Sequence, residues 1–329
     1  MSSSARPALG VAVAAVAALL FGVNGTVSKL ALEAGLSSTR LVAMRSLGAA
    51  LCLITLALLT RPRSLAVGRR ELSFLVVTGI IGIGLVQWLY FVAIARLPVG
   101  IALLLEYLAP VFVALWVRFV RREPVRRRIW AALALCLVGL AVVARVWSGL
   151  TLDGIGVVAG VGAGVSLAAW YLTGEHSLGH RDPLSLAAWT FGAAAVFWAV
   201  VQPPWSIDWG VLSEAVALPG PFGGAEVPLW SLVAWIVVLG TVVPYGFVLL
   251  AIKNLGSTRT GLLGMAEPVT SGLVAWVVLS EVLTPVQLVG AALVIAGIVA
   301  AETSRQRDGA APTVVAVGSG AGSDEQQSG

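Results

Sequence analysis

Hydrophobic residues occur in long runs along this chain, and charged residues gather between the runs. Ten runs approach the roughly 20 apolar residues that an α-helix needs to cross a bilayer. They cover residues 8–30, 37–60, 72–95, 99–119, 129–147, 153–173, 184–202, 230–252, 258–280 and 285–302. The pattern therefore predicts an all-α integral membrane protein with ten transmembrane helices. Residues 303–329, rich in Ser, Gly and Gln, are predicted to be a disordered cytoplasmic tail.

Composition supports the membrane assignment. Hydrophobic residues make up 58% of the chain and charged residues 11%, against about 25% charged in soluble domains. The net charge of +5 could indicate a nucleic-acid partner, but the basic residues cluster between apolar runs, where membrane topology explains them. We therefore expect a lipid bilayer and no nucleic acid as partner.

The distribution of Lys and Arg predicts which side each loop faces. Loops 61–71 and 118–128 contain four and six arginines, whereas loop 203–229 has no Lys or Arg and three acidic residues. Cytoplasmic loops carry an excess of Lys and Arg, and both arginine-rich loops follow even-numbered spans. The chain is thus predicted to be a multi-pass protein of the cell inner (cytoplasmic) membrane with both termini cytoplasmic.

The chain repeats itself when it is shifted by 158 residues. Pro110, Val111, Leu115 and Glu123 then fall on identical residues, together with five further matches, as in "AIARLPVGIALLLEYLAPVF" against "AIKNLGSTRTGLLGMAEPVT". This shift moves the fourth span onto the ninth, which is five spans later. Successive spans cross the membrane in opposite directions, so an odd number of spans reverses the direction of the helix. We predict two inverted five-helix repeats, residues 8–147 and 153–302, an arrangement typical of secondary transporters.

Several stretches resemble a known family. "LLLEYLAPVFVALWVRFVRRE" and "MAEPVTSGLVAWVVLSEVLTP" resemble the paired EamA-type modules of the drug/metabolite transporter superfamily. "GIALLLEYLAP", "GAGVSLAAWYLTGE" and "TRTGLLGMAEP" look most like its threonine/homoserine exporter branch. The resemblance implies a ten-helix repeat fold, a central cavity and no required cofactor. The arginine run in "VRFVRREPVRRR" departs from the family pattern, and we interpret it as a topology anchor, with an anionic-ligand site as the alternative.

Glu106 lies within the fourth predicted span, four residues before Pro110. A charged side chain in hydrocarbon is unfavourable, so Glu106 is expected to face a cavity or to bond another helix. Proline lacks the N–H that would bind the carbonyl of Glu106 and therefore interrupts the helix there. Glu267 and Pro268 form the counterpart in span nine, and pseudo-symmetry could bring both acids to one cavity.

Other polar and aromatic residues inside the spans complete a predicted substrate site. Arg45 could pair with Glu106 or Glu267, and each aromatic residue could instead serve packing. The predicted substrate-binding residues are Asn24, Arg45, Gln87, Trp88, Tyr90, Glu106, Trp170, Tyr171, Tyr245 and Glu267.

Catalytic and nucleotide-binding motifs do not occur in the sequence. It has no GxSxG, Walker A, CxxC or HExxH pattern, and Gly179 interrupts the metal-like spacing of His176 and His180. We therefore predict neither an enzyme nor a metal site. In "SEVLTPVQL", Glu281 is predicted to end a helix, and Thr284 and Gln287 to form a capping box at the start of the next.

The pattern as a whole predicts a secondary transporter that exports small polar metabolites, with amino acids first, by alternating access between its repeats. Proton coupling through Glu106 or Glu267 is a further hypothesis. Drug efflux, a sugar or nucleoside permease, a membrane-embedded enzyme and a scaffold without transport are the alternatives. The sequence does not determine the substrate, the coupling ion, the direction of transport (import or export) or whether a homodimer forms.

Overall fold

The structure is a computed structural model that describes residues 6–94, 96–97, 99–144, 146, 153–218, 221, 223–279 and 284–306. Helices account for most of these residues. They are α1 (Pro7–Glu33), α2 (Ser38–Thr60), α3 (Arg69–Gly79), α4 (Val86–Ile94), α5 (Val99–Glu106), α6 (Ala109–Phe119), α7 (Arg127–Val143), α8 (Gly154–Leu178), α9 (Pro183–Val201), α10 (Leu229–Val237), α11 (Val243–Leu255), α12 (Ser257–Gly264), α13 (Glu267–Leu279) and α14 (Pro285–Gln306). Two short antiparallel strands, β1 (Ala215–Ala217) and β2 (Glu226–Pro228), lie in the long loop before α10.

Each of the ten predicted segments contains helix, and seven helical stretches are long and apolar enough to cross a membrane. The seven are Pro7–Glu33, Ser38–Thr60, Arg69–Ala93, Ile101–Phe119, Gly154–Leu178, Pro183–Val201 and Leu229–Leu255. The other three segments correspond to α7, to α12 with α13, and to α14, whose helical pieces are shorter or interrupted. The protein is therefore a helical, multi-pass membrane protein.

Polar side chains cap the starts of α8 and α14. The carboxylate of Asp153 accepts a hydrogen bond from the backbone N–H of Gly156 at 2.8 Å and begins α8. Thr284 and Gln287 form the predicted capping box, because the backbone N–H of Thr284 donates to Gln287 Oε1 at 3.0 Å and that of Gln287 to Thr284 Oγ1 at 3.4 Å. Glu281 lies outside the described residues. Residues 303–306 of the predicted tail are still helical, and the rest of the tail is likewise outside the described part.

Two helix interruptions recur at the spacing of the sequence repeat. α5 ends at Glu106 and α6 begins at Ala109, while α12 ends at Gly264 and α13 begins at Glu267, 158 residues further on in both cases. Proline is the second residue of the helix after each break, where its missing N–H cannot continue the preceding ladder. Two π-helical turns, Ile80–Leu85 and Val238–Val242, begin at the same spacing. The duplication seen in the sequence thus extends to irregular backbone geometry.

α7 and α14 pack closely through glycines in a reciprocal manner. A Cβ atom added to Gly139 would lie 2.7 Å from the carbonyl oxygen of Gly290, and one added to Gly297 would lie 2.9 Å from that of Ala132. The 158-residue shift exchanges these two contacts. Ala132 of α7 contacts Gly297 of α14, and Gly139, further along α7, contacts Gly290, which is earlier in α14. The two helices therefore run antiparallel.

Polar contacts join helix ends at the arginine-rich end of the bundle. Arg181, a buried side chain, lies 2.6 Å from Glu71 and so connects the loop before α9 to α3. Glu175 of α8 accepts from Arg121 at 2.6 Å and from the backbone N–H of Ser257 at 3.0 Å, which joins α6, α8 and α12. These contacts tie both halves of the chain together at the end that the sequence predicts to be cytoplasmic.

Candidate functional site

A cavity of about 560 Å³ lies between the two halves of the chain and is bordered by helices from both. Nine of the ten predicted site residues line it, namely Asn24, Arg45, Gln87, Tyr90, Glu106, Trp170, Tyr171, Tyr245 and Glu267. A volume of this size is within the range of small-molecule sites. The common location of these nine residues is a structural observation, while their role in substrate binding stays a prediction.

Trp88 is the exception, and its predicted place in the cavity is wrong. Its residue surface is 48% exposed on the outside of the bundle, and it is absent from the cavity wall, although its neighbour Gln87 is part of that wall. Successive residues of a helix differ by about 100° around its axis. The helical phase that directs Gln87 inward therefore directs Trp88 outward, where an aromatic side chain can face lipid.

The two interrupted helices bring both carboxylates to the cavity. Glu106 is the last residue of α5 and Glu267 is the first residue of α13, so each lies beside one of the breaks at Tyr107–Leu108 and Met265–Ala266. Discontinuous helices in transporters commonly present backbone and side-chain polar groups to a central site. The cavity therefore has two acidic groups in its wall, one from each half of the chain.

Arg45 is the single basic side chain among the described residues that line the cavity. Its Nε donates to Thr241 Oγ1 at 2.7 Å and its Nη1 to Gln87 Oε1 at 3.4 Å, and its guanidinium carbon lies 5.9 Å from the ring centre of Tyr245. The ion pair with Glu106 or Glu267 that the sequence suggested does not form among the described residues. The guanidinium instead uses the hydroxyl that the π-helical turn presents and the amide of α4, so it shares the cavity with both acids without touching either.

Tyr245 is the centre of an aromatic cluster next to these polar groups. The rings of Phe21, Trp170 and Phe191 meet it edge to face at centroid distances of 5.3, 5.4 and 5.0 Å. Such packing favours a fixed ring orientation. Its hydroxyl oxygen accepts from Gln87 Nε2 at 3.4 Å. Gln87 and Tyr245 are 158 residues apart, so corresponding positions of the two repeats meet directly at the cavity.

Asn24 has a buried acceptor without a partner. The residue is 7% exposed, and its Oδ1 has no hydrogen-bond donor within the described part of the chain. An unsatisfied buried acceptor costs roughly 1–3 kcal/mol. The oxygen packs against Gly240, where an added Cβ atom would clash with it.

Sequence reasoning missed Tyr107 and Thr241. The hydroxyl of Tyr107 donates to Glu267 Oε2 at 2.6 Å across the two halves, and Thr241 binds Arg45. Tyr107 follows Glu106 directly and lies at the predicted helix break, and this position could have identified it as a site residue. Thr241 had no comparable signal, because a threonine within an apolar run usually bonds its own helix.

A comparison with known protein families shows which family this chain belongs to. The model of the EamA-like transporter family matches residues 8–145 and again residues 154–302. The chain belongs to the EamA-like transporter family. By this membership it is a transporter and not an enzyme, and the resemblance noted in its sequence is confirmed.

Named relatives of this EamA-like transporter include exporters. It is 29% identical over 217 residues to the threonine/homoserine exporter RhtA of Escherichia coli K12, and the match covers 66% of each chain. It is 29% identical to the pseudopaline exporter CntI of Pseudomonas aeruginosa, covering 62% of this chain and 72% of CntI. The uncharacterized inner membrane transporter YicL of Salmonella typhimurium is 24% identical, with 91% of this chain and 96% of YicL covered.

A solved crystal structure shares the fold of this EamA-like transporter. The TM-score is 0.72 at 18% sequence identity, and the match covers 92% of this chain and 99% of the other. At this identity the likeness concerns the fold alone.

Proposed function

We propose that the protein is a secondary transporter that exports small polar metabolites, amino acids foremost, across the cytoplasmic membrane by alternating access. The observation that carries the proposal is the cavity between the halves, where the described residues contribute one guanidinium, two carboxylates and an aromatic cluster to the wall. An amino acid has a carboxylate that Arg45 can bind and an ammonium that Glu106 or Glu267 can bind. Charge-assisted hydrogen bonds of this kind are stronger than neutral ones.

Alternating access requires two units that can move against each other around one site. The two interruptions and two π-helical turns at one spacing, and the reciprocal antiparallel packing of α7 on α14, favour ten spans arranged as two inverted five-helix repeats. The meeting of Gln87 with Tyr245 places corresponding residues side by side at the cavity. In this arrangement the cavity lies on the pseudo-twofold axis, where exposure to either side can exchange.

The relatives favour export and an amino-acid substrate. RhtA and CntI are named as exporters, and RhtA as an exporter of threonine and homoserine. The residues that would contact such a substrate are Asn24, Arg45, Gln87, Tyr90, Glu106, Trp170, Tyr171, Tyr245 and Glu267. An inner-membrane location with both termini cytoplasmic completes the proposal.

An export assay in a bacterial host that lacks its own amino-acid exporters tests the function. Cells are loaded with a panel of single amino acids as dipeptides, and amino acid released to the medium is measured with and without the protein. We expect faster release of at least one amino acid, L-threonine being the first candidate. A panel released at the same rate with the protein and with an empty vector would contradict the proposal.

Proton coupling through Glu106 or Glu267 is tested separately in proteoliposomes. Net transport against a concentration gradient is expected only when a pH gradient is imposed, because the substrate gradient alone can drive no more than equilibration. Equal rates and equal final gradients with and without the pH gradient would rule out proton coupling but would leave the transport proposal standing.

A further inference from the structure

Tyr107 and Glu267 form a polar contact between the two halves at the cavity wall. The Tyr107 hydroxyl lies 2.6 Å from Glu267 Oε2, and both residues border the cavity. Tyr107 is 7% exposed, so water competes little for its hydroxyl. A neutral donor bound to a carboxylate makes a charge-assisted hydrogen bond, about twice as strong as one between neutral groups.

The contact joins the two helix interruptions. Tyr107 is the first residue of the break between α5 and α6, and Glu267 directly follows the break between α12 and α13. Tyr107 also shares one apolar cluster with Leu262, Val269 and the fully buried Met265 of the second break. The two breaks therefore pack on each other, and this hydrogen bond links a group in the substrate cavity to both.

The symmetry of the repeats does not supply a second bond of this kind. The position that corresponds to Tyr107 is Met265, and the position that corresponds to Glu267 is Ala109. Neither side chain can form a hydrogen bond of comparable strength. The Tyr107 bond is thus a feature of this chain's own residues and not a consequence of the duplicated backbone.

We propose that Tyr107 is a positioning residue that holds Glu267 in the empty transporter and releases it when a cationic group of the substrate binds Glu267. This proposal rests on the proposed transport function. A ligand shifts a conformational equilibrium only through interactions that differ between the two states. Displacement of the Tyr107 hydroxyl from Oε2 supplies such a difference, because binding in the cavity then removes a contact that fastens one break to the other.

The variant Tyr107→Phe removes the hydroxyl and keeps the ring in the apolar cluster that also contains Met265. Uptake of radiolabelled L-threonine, and of each amino acid of the export panel, is measured in proteoliposomes for the wild type and the variant. The substrate no longer displaces a hydroxyl, so the half-saturation concentration should fall about tenfold, the equivalent of one hydrogen bond to a charged group. The maximal rate should change little, because this bond is already broken in the loaded wild type. An unchanged or raised half-saturation concentration would make Tyr107 an ordinary wall residue and overturn the proposal.

The variant Glu267→Asp provides the second arm, because it keeps the charge but withdraws the carboxylate from Tyr107. The change in half-saturation concentration caused by Tyr107→Phe should be much smaller in the Glu267→Asp background than in the wild type, since both substitutions remove the same bond. An equally large change in both backgrounds would show that Tyr107 acts independently of Glu267 and would overturn the proposal. If Tyr107→Phe does not fold, Tyr107→Leu, which also lacks the hydroxyl, is measured in the same two backgrounds. A wild type that moves no amino acid would overturn the proposed function as well, whereas wild-type transport with an unchanged half-saturation concentration in Tyr107→Phe overturns this proposal alone.

Discussion

Glu106 and Glu267 border the same cavity but differ in how their side chains are held. Glu267 accepts the hydroxyl of Tyr107, whereas the carboxyl group of Glu106 makes no hydrogen bond or ion pair with any side chain in the described part of the chain. A buried carboxylate without an internal partner has its full hydrogen-bonding capacity available for a ligand. Glu106 can therefore accept an ammonium group without losing an internal bond, whereas Glu267 must first lose the hydroxyl of Tyr107.

Glu106→Gln is expected to reduce transport by about tenfold to a hundredfold while the protein folds normally. The amide keeps the shape of the side chain but cannot take part in an interaction worth about 1.5–3 kcal/mol with a charged donor. Transport in proteoliposomes and the thermal unfolding midpoint in detergent are measured together. The same substitution at the exposed Glu123 is the control and should leave both unchanged. Wild-type transport by Glu106→Gln would assign Glu106 a structural role.

Arg45→Lys is expected to raise the half-saturation concentration for an amino-acid substrate by about tenfold. Lysine keeps the charge but lacks the planar fork that binds Thr241 and Gln87 simultaneously, so the cation is no longer held in one place. Concentration-dependent uptake in proteoliposomes measures the change, and the exposed Arg63→Lys serves as the control. An unaltered half-saturation concentration would mean that the substrate does not use the guanidinium.

At the scale of the elements, the close contact between α7 and α14 is the clearest link between the duplicated halves. Small residues allow helix backbones to approach in membrane proteins. The glycines at 139, 290 and 297 serve this purpose, because a Cβ atom at any of them would lie within 3 Å of a backbone carbonyl oxygen of the facing helix. These contacts therefore depend on the absence of side chains at those positions.

Gly139→Ala and Gly297→Ala are both expected to destabilise the protein by about 1–3 kcal/mol, the usual range for overpacking. The reciprocal geometry predicts similar losses from the two substitutions. Gly246→Ala in α11 is the matched control, because a Cβ atom there would meet nothing within 4 Å. Thermal unfolding of the purified variants in detergent measures the changes. If Gly139→Ala and Gly246→Ala are equally stable, the predicted close packing of α7 on α14 is wrong.

At the scale of the whole molecule, the two ends of the bundle have opposite characters. One end carries the arginine-rich loops and the contacts of Arg181 and Glu175, and the other carries the loop with β1 and β2. A bilayer distinguishes these ends because Lys and Arg in short loops stay on the cytoplasmic side. The orientation that we propose follows from this difference.

Cysteine labelling checks that orientation. In a protein whose Cys52 and Cys136 are replaced by alanine, a membrane-impermeant maleimide added to intact spheroplasts is expected to label Ser213→Cys and not Glu123→Cys. Both positions are exposed on the molecule, so accessibility depends on the side of the membrane. Labelling of Glu123→Cys but not of Ser213→Cys would reverse the topology.

Much of the fold could be predicted from the sequence because the deciding patterns are local. A membrane span is recognised by its own hydropathy, a capping box by residues three apart, and a duplication by identities at one spacing. On these grounds each of the ten segments was found helical, the breaks near Pro110 and Pro268 fell where expected, and nine candidate side chains lie around one cavity.

The directions and partners of side chains were decided by the tertiary structure alone. Gln87 and Trp88 are adjacent in the sequence and equally plausible, yet one lines the cavity and the other faces outward. The π-helical turn before α4 shifts the helical phase, and hydropathy does not register such a shift. Arg45 binds Thr241, 196 positions away, and not the acids proposed for it. Tyr107 meets Glu267 because two breaks from different halves pack together, and such a contact exists only once the halves have assembled.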